Sequence, residues 1–318
     1  MSATKFNCLN AQGAALPEAI ARAAAVIRAG GTVAVPTETV YGLAARADDD
    51  GAVAGIYRAK GRPDFNPLIV HVRDLDHAAQ LAIVDAAAVA CAAAFWPGPL
   101  TMVLPRRADA PIRAAVSAGL PTLALRCPAH PVMQALLAAS DLPLAAPSAN
   151  RSGAVSPTSA DHVLASLGER VDLVLDGGTC AQGLESTIVA LRPGGGWTLL
   201  RPGPITREAL AAVLGADREA AAGAGIEAPG QLASHYAPGK PVRLHATKAE
   251  ADEFLIGFGA VAGDISLSAA GDLAEAAARL YACLHRAAAA AQTRVAVAPV
   301  PDHGIGAAIN DRLRRAAA

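Results

Sequence analysis

Three cations, Arg58, Lys60 and Arg62, fall within five residues, and Arg62 stands between Gly61 and Pro63. Gly61 and Pro63 stop a helix, so Arg62 belongs to a loop and the helix dipole cannot account for the whole cluster. Such a group suits a polyphosphate, although a solvated basic corner explains it too. Asn66 and Pro67 follow, then an apolar run carrying His71, which reads either as a ligand-facing group or as a histidine ending a core strand.

Other polar stretches interrupt apolar runs in the same way. Residues 36–43 read P-T-E-T-V-Y-G-L after a predicted strand. Hydroxyls at a strand's carboxyl end, beside Gly42, suit a crevice where backbone approaches a ligand; taken alone, a turn capped by its threonines is the better explanation. The strand 122–126 ends in Arg126, whose planar fork fits a carboxylate or phosphate, or equally an interdomain ion pair. Residues 145–153, A-A-P-S-A-N-R-S-G, with Ser156 close behind, leave hydroxyls and backbone N–H groups to cradle phosphate oxygens, without the lysine of a P-loop. G-L-E-S-T at 183–187 and L-R-P-G at 200–203 complete the set. No nucleophile triad is evident.

These residues need a scaffold. A helix over 17–30 leads into a strand at 32–35, and short apolar runs at 68–72, 100–104, 122–125, 142–145, 173–175 and 187–191 alternate with helical stretches such as 50–59 and 158–167. The pattern is α/β. Runs 187–191 and 197–200 follow each other without a helix, which predicts a mixed sheet. A helix over 207–214 closes this part. Residues 216–240, rich in Ala, Gly and Pro, are too long for an ordinary connection. We therefore expect a catalytic domain at 1–215, a linker or lid at 216–240 and a smaller domain at 241–318. In the last, strands at 242–244, 259–262 and 294–297 alternate with helices at 248–255, 273–291 and 305–313, a small three-layer, Rossmann-like α/β unit.

Composition narrows the function. The chain has 318 residues, enough for two domains, and 53% of them are apolar. A net charge of −1 and 3% aromatic residues disfavour a protein held on nucleic acid, which wants a basic excess and stacking platforms; tRNA contact is expected to be transient at most. No run reaches the roughly 18 apolar residues of a membrane span, and residues 1–10 lack a basic region followed by an apolar one. No membrane association and a cytoplasmic location are expected. Five scattered cysteines without a C-x-x-C pair suggest neither disulfides nor zinc.

Each motif is weak alone, but their order and spacing resemble the threonylcarbamoyl-AMP synthase family in its two-domain form. Its YrdC-like domain, a twisted mixed sheet with helices, carries P-T-E-T-x-Y-G-L, K-x-R-P followed by N-P-L-I-V-H-V, W-P-G-P-L-T, P-S-A-N-x-S-G, G-x-E-S-T and R-P-G; here these stand at 36–43, 60–72, 96–101, 147–153, 183–187 and 201–203. P-G-Q-L-A-S-H-Y-A-P at 229–238 resembles the family's interdomain linker, and G-I-G-A-A-I-N-D-R-L at 304–313 its C-terminal domain. One departure is Ala190, where family members often carry an acidic residue.

The resemblance implies a nucleotidyltransferase. Threonine and bicarbonate form a carbamate, which attacks the α-phosphate of ATP to give threonylcarbamoyl-AMP and pyrophosphate, and a downstream tRNA threonylcarbamoyl transferase complex uses the product. By position, Lys60 and Arg62 would be catalytic. Arg62, Asn66, Thr122, Ser148, Asn150, Ser156, Arg201 and Tyr236 would bind ATP, and Thr39, His71, Arg126, the backbone of Ala146 and Ser186 would bind L-threonine. Mg2+ would arrive with ATP, and no protein ligand for a metal is assigned. A YrdC-like RNA-binding module without catalysis is the main rival; a hydrogenase-maturation carbamoyl transferase is a second, disfavoured by the missing zinc motifs.

Overall fold

A computed structural model describes residues 8–216, 227–231 and 235–318. The expectation for residues 1–7, and those for 217–226 and 232–234 within the linker, lie outside the described residues. The first part of the chain forms β1 (Cys8–Asn10), α1 (Leu16–Arg28), β2 (Val33–Val35), β3 (Gly42–Arg46), α2 (Asp50–Lys60), β4 (Ile69–His71), α3 (Leu75–Ala79), α4 (Ala86–Phe95) and β5 (Leu100–Pro105). It continues with α5 (Ala114–Ser117), β6 (Thr122–Arg126), α6 (Pro131–Ser140), β7 (Leu144–Ala145), α7 (Ala160–Leu167), β8 (Leu173–Asp176), β9 (Thr187–Leu191), β10 (Trp197–Arg201) and α8 (Arg207–Leu214).

Among the described residues these strands join in the order β1-β8-β2-β3-β7-β4-β6-β5-β9-β10. Parallel pairs such as β4/β6 and β5/β9 lie beside antiparallel pairs such as β5/β6 and β9/β10, so the sheet is mixed, as the adjacent runs 187–191 and 197–200 suggest. Alternation along each strand divides its side chains between two faces. Ala34, Leu43, Val70 and Val189 pack with Val53 and Ile56 of α2 and with α4. Val33, Val35 and Ala44 face the other way, onto Ile20 and Ile27 of α1 and Met133 and Leu137 of α6. Toward β9 this second face changes character: Ile69, Val103, Ala124, Ile188 and Ala190 form an apolar patch on which Ala228 is seated.

Residues 241–318 form β11 (Val242–Arg243), β12 (Glu253–Gly257), β13 (Ile265–Ser266), α9 (Leu273–Ala289), β14 (Arg294–Val297) and α10 (Gly306–Ala316). Their sheet is parallel, in the order β11-β14-β12-β13. Ile256, Val295 and Val297 pack on α9 and α10, while Leu255 and Ala296 pack with Ala246 and Val261. Two expected elements are corrected. The helix over 248–255 is replaced by irregular backbone at 248–252 and the start of β12, and the strand over 259–262 by a turn in which Phe258 and Val261 exchange backbone hydrogen bonds. Lys, Ala and Glu at 248–251 favour a helix locally, but Asp252 takes a left-handed φ of 61°. The apolar residues beyond it join the sheet, where tertiary burial outweighs propensity. Among the described residues no helix is long and apolar enough to cross a membrane.

Candidate active site

A cleft opens at the carboxyl ends of β4 and β6, where His71 and Arg126 are register partners on neighbouring strands. Arg62, Ser148, Ser186, Arg201 and Tyr236 also border it. The positions follow from local chain chemistry. Helix α2 starts where the Asp49 side chain accepts from the Ala52 N–H and ends at Gly61, with φ 58°, a left-handed cap that turns the chain out of the helix and sends Arg62 back toward the sheet.

Arg62 donates from Nε to the Asn66 carbonyl (3.2 Å) and from Nη2 to the Pro67 carbonyl (2.9 Å). Arg201 donates from Nε (3.1 Å) and Nη2 (2.8 Å) to the Ser186 carbonyl, and from Nη2 to Ser186 Oγ at 3.1 Å. Both are buried and these bonded partners are neutral, so each guanidinium keeps an Nη1; the carboxylate nearest Arg201, Glu185, is bonded elsewhere. Burial, with Arg201 nearby, lowers Arg62 to about 10; burial and Arg312 lower Arg201. A buried charge without a bonded counter-ion is costly, and an anionic ligand would relieve both.

Lys60 does not border the cleft. Its Nζ donates to the Ser148 (2.5 Å) and Asn150 (2.6 Å) carbonyls, and burial, then Arg62, push its pKa well below the lysine range. It braces the 147–150 loop from behind. Asn150 Nδ2 ties the same loop to the Arg151 and Ala154 carbonyls. The Oδ1 atoms of Asn66 and Asn150 are buried without a hydrogen-bond partner.

On the other side, Arg126 donates from Nε to the Gly98 carbonyl (3.3 Å), from Nη1 to Thr39 Oγ1 (2.9 Å) and from Nη2 to Glu38 Oε1 (2.7 Å). A guanidinium has five donors, so two remain. Glu38 Oε2 also accepts from the Ala129 N–H; burial would raise this carboxyl, but Arg126 outweighs it and the pKa is lowered. Thr37 Oγ1 lies 2.8 Å from Thr39 Oγ1 and donates to the Val40 carbonyl, fixing the turn the motif suggests. Both ring nitrogens of His71 are buried without a partner. Burial, then Arg126, hold its pKa at about 3, so the imidazole is neutral.

Ser186 Oγ lies 2.7 Å from Thr101 Oγ1. Its neighbour Glu185 is buried and joins the two parts of the chain: Oε1 accepts from Ser156 Oγ (2.5 Å), and Oε2 from Tyr281 OH (2.6 Å) and Arg312 Nε (2.9 Å). Burial would raise this carboxyl; Arg312, Arg201 and the two hydroxyl donors outweigh it and hold it at about 2. Residues 227–231 cross the cleft. Gln231 Oε1 accepts from the Glu227 and Ala228 N–H groups, and Glu227 pairs with Arg192 at 2.6 and 3.0 Å. Gly230 takes φ 86° beside Arg201; a Cβ there would lie 2.8 Å from Arg201 Cδ, so the close approach requires glycine.

Of the residues expected from the sequence, the structure brings Arg62, His71, Arg126, Ala146, Ser148, Ser186, Arg201 and Tyr236 to the cleft. Thr39, Lys60, Asn150 and Ser156 stand behind its lining and hold lining residues or neighbouring loop carbonyls, while Asn66 holds Arg62 through its carbonyl. Thr122 is four residues before Arg126, about 13 Å away along the strand, and shares its face with Ala124 and Arg126. Ala190 is buried in the apolar patch under Ala228, where an acidic side chain would need a partner. Glu38, Tyr281 and Arg312 are not assigned from the sequence, because their partners are distant in the chain. Among the described residues no group of three His, Cys, Asp or Glu side chains forms a metal site.

A family model described as "Telomere recombination" matches residues 25–203, and one described as "Threonylcarbamoyl-AMP synthase, C-terminal domain" matches 205–318. Threonylcarbamoyl-AMP synthases of Bacillus subtilis and Pyrococcus abyssi are each 44% identical over 239 and 228 residues, 71% and 69% of this chain. The aligned stretch spans 66% of the length of either relative. The crystal structure of P. abyssi Sua5 complexed with L-threonine superposes with a TM-score of 0.89 at 35% identity, covering 98% of this chain and 97% of that one.

Proposed function

Because the chain belongs to the threonylcarbamoyl-AMP synthase family, we propose that it is a nucleotidyltransferase that forms L-threonylcarbamoyl-AMP and pyrophosphate from L-threonine, bicarbonate and ATP. The observation that carries this reading is the pairing, in one cleft, of two buried arginines held by neutral acceptors with a second subsite made of His71 and Arg126. The first subsite suits a polyphosphate. The second suits an amino acid: two N–H groups of Arg126 meet a carboxylate, and a neutral imidazole accepts from an amine or hydroxyl as no cation could.

In the proposed reaction the threonine amine takes up the bicarbonate carbon, with loss of water, to give a carbamate. A carbamate oxygen attacks the α-phosphorus, the bond from that phosphorus to the bridging oxygen breaks, and pyrophosphate leaves with the electron pair. The protein's part is to align the reactants and to offset charge developing on the phosphates. Arg62 and Arg201 supply that charge, and Lys60 holds the 147–150 loop against them. Mg2+ comes as the ATP complex, held by phosphate oxygens and water; Glu38 and Glu185 are each engaged by an arginine. The product would pass to a tRNA-modifying transferase.

The test is pyrophosphate release from Mg–ATP with bicarbonate, comparing threonine, serine and no amino acid. Release that depends on threonine and bicarbonate supports the reading. Orthophosphate as the main product, or salt-dependent RNA binding without ATP consumption, would replace it.

A further inference from the structure

Glu185 lines the cleft beside Arg201, yet its two oxygens are occupied from elsewhere: Ser156 takes Oε1, and Tyr281 of α9 and Arg312 of α10 take Oε2. Arg312 is fully buried and has further partners in Asp311 Oδ2 (2.6 Å) and the Pro202 carbonyl (3.0 Å). Its guanidinium carbon lies 5.4 Å from the centre of the Tyr236 ring, so the same cation also bears on a residue that lines the cleft. A carboxylate next to a phosphate site is a hazard, since it repels the ligand and competes with it for the neighbouring arginine. Removing the glutamate's other partners would leave Arg201 as the nearest cation to neutralise it.

Resting on the proposed function, we propose that Arg312 and Tyr281 are positioning residues of the nucleotide site: by saturating Glu185 they keep the Arg201 guanidinium available to the ATP phosphates. The C-terminal domain thereby contributes to the active site without touching substrate. Burial alone would raise the Glu185 carboxyl, but the Arg312 and Arg201 charges and the hydroxyl donors hold it ionised at about 2. The carboxylate therefore stays charged across the working range and always needs those partners. A docking role alone would make Arg312 matter only for how the domains hold together, and the chemistry of Glu185 would be irrelevant to ligand affinity.

The experiment is a charge-rescue cycle in the full-length protein, reading Mg–ATP affinity by calorimetry together with adenylate formation. Arg312→Met should weaken ATP at least about tenfold, roughly 1.4 kcal/mol. Arg312→Met with Glu185→Gln should return to within about threefold of Glu185→Gln alone, because a neutral amide neither needs a counter-charge nor competes for Arg201. Tyr281→Phe keeps the ring and removes one donor; it should weaken ATP by about threefold, and it serves if Arg312→Met does not fold. Wild-type ATP affinity in Arg312→Met, or in Tyr281→Phe where that variant alone folds, would overturn the proposal, as would a double variant as weak as Arg312→Met. A wild-type protein that binds ATP but forms no adenylate would remove the functional reading and leave this cycle readable.

Discussion

Arg62 and Arg201 hold their positions through backbone carbonyls, so their charge is unspent on the protein itself. Replacing Arg62 with alanine should leave the fold intact and lower turnover at least about tenfold, since one lost contact to a charge developing in a water-poor site is worth more than 1 kcal/mol; steady-state kinetics of a variant with an unchanged melting curve check it. Arg126 offers a different test. Lysine in its place keeps a charge but cannot bond Thr39, Glu38 and a carboxylate in one plane, so Arg126→Lys should raise the threonine KM more than the ATP KM. Equal effects on both would assign the residue to phosphate or packing. The residue types that build the two subsites were legible in the sequence, because charged and hydroxylated side chains stood at the ends of apolar runs. Their pairing was not: Glu38 and Arg126 are 88 residues apart, and no local pattern encodes that meeting.

At the scale of elements, periodicity picks out α1, α2 and α7, each with apolar residues on one face and two of them with a capping Asp or Ser. It passes over α4, whose run of alanines carries no distinct face and which forms because Cys91 and Ala92 meet the core. Lysine, alanine and glutamate misdirect the reading at 248–255 for the opposite reason, favouring locally a helix the sheet does not allow. The described linker residues 227–231 and 235–240 meet both the cleft and the sheet domain. Ala228 is seated on the apolar patch, Gly230 lies against Arg201, and Ala237 N–H bonds the Gly153 carbonyl. His235 is half-buried, with its Nδ1 atom buried and unpartnered. We propose that residues 229–238 act as a lid that excludes water from the labile anhydride and opens to release product. Replacing His235 and Tyr236 by glycine and serine should slow adenylate formation and abolish the protection from protease that ATP and threonine give the wild-type segment. Unchanged kinetics, with cleavage that substrates never suppress, would leave it a tether.

In the whole molecule, the C-terminal core takes in Val40, Val155 and Leu184 from the sheet domain and Tyr236 from the linker, and a histidine pair joins the two parts. His162 of α7 stacks on His285 of α9 with ring centres 3.8 Å apart. His285 Nε2 lies 3.1 Å from the Ser156 carbonyl, and His162 Nδ1 lies 3.3 Å from Thr158 Oγ1. Burial, then His162, hold His285 at about 4, below its ordinary 6.5; burial lowers His162 against the opposing pull of Asp161. A depressed histidine pKa means the unfolded chain binds the proton more readily, so this contribution is present above about pH 6.5 and is lost as pH falls toward 4. The wild-type Tm should therefore drop more steeply over that window than that of His285→Gln, by on the order of 2 to 4 °C for each kcal/mol lost; parallel curves would remove the pair from the acid response. Such an interface was not legible, since isolated histidines on two helices give no sign of stacking. The reaction itself is tested most directly by supplying 13C-bicarbonate, L-threonine and Mg–ATP and weighing the nucleotide product. The account predicts an adenylate that carries one 13C and the threonine mass, formed together with pyrophosphate; AMP or ADP alone, or an adenylate without the label, would contradict it.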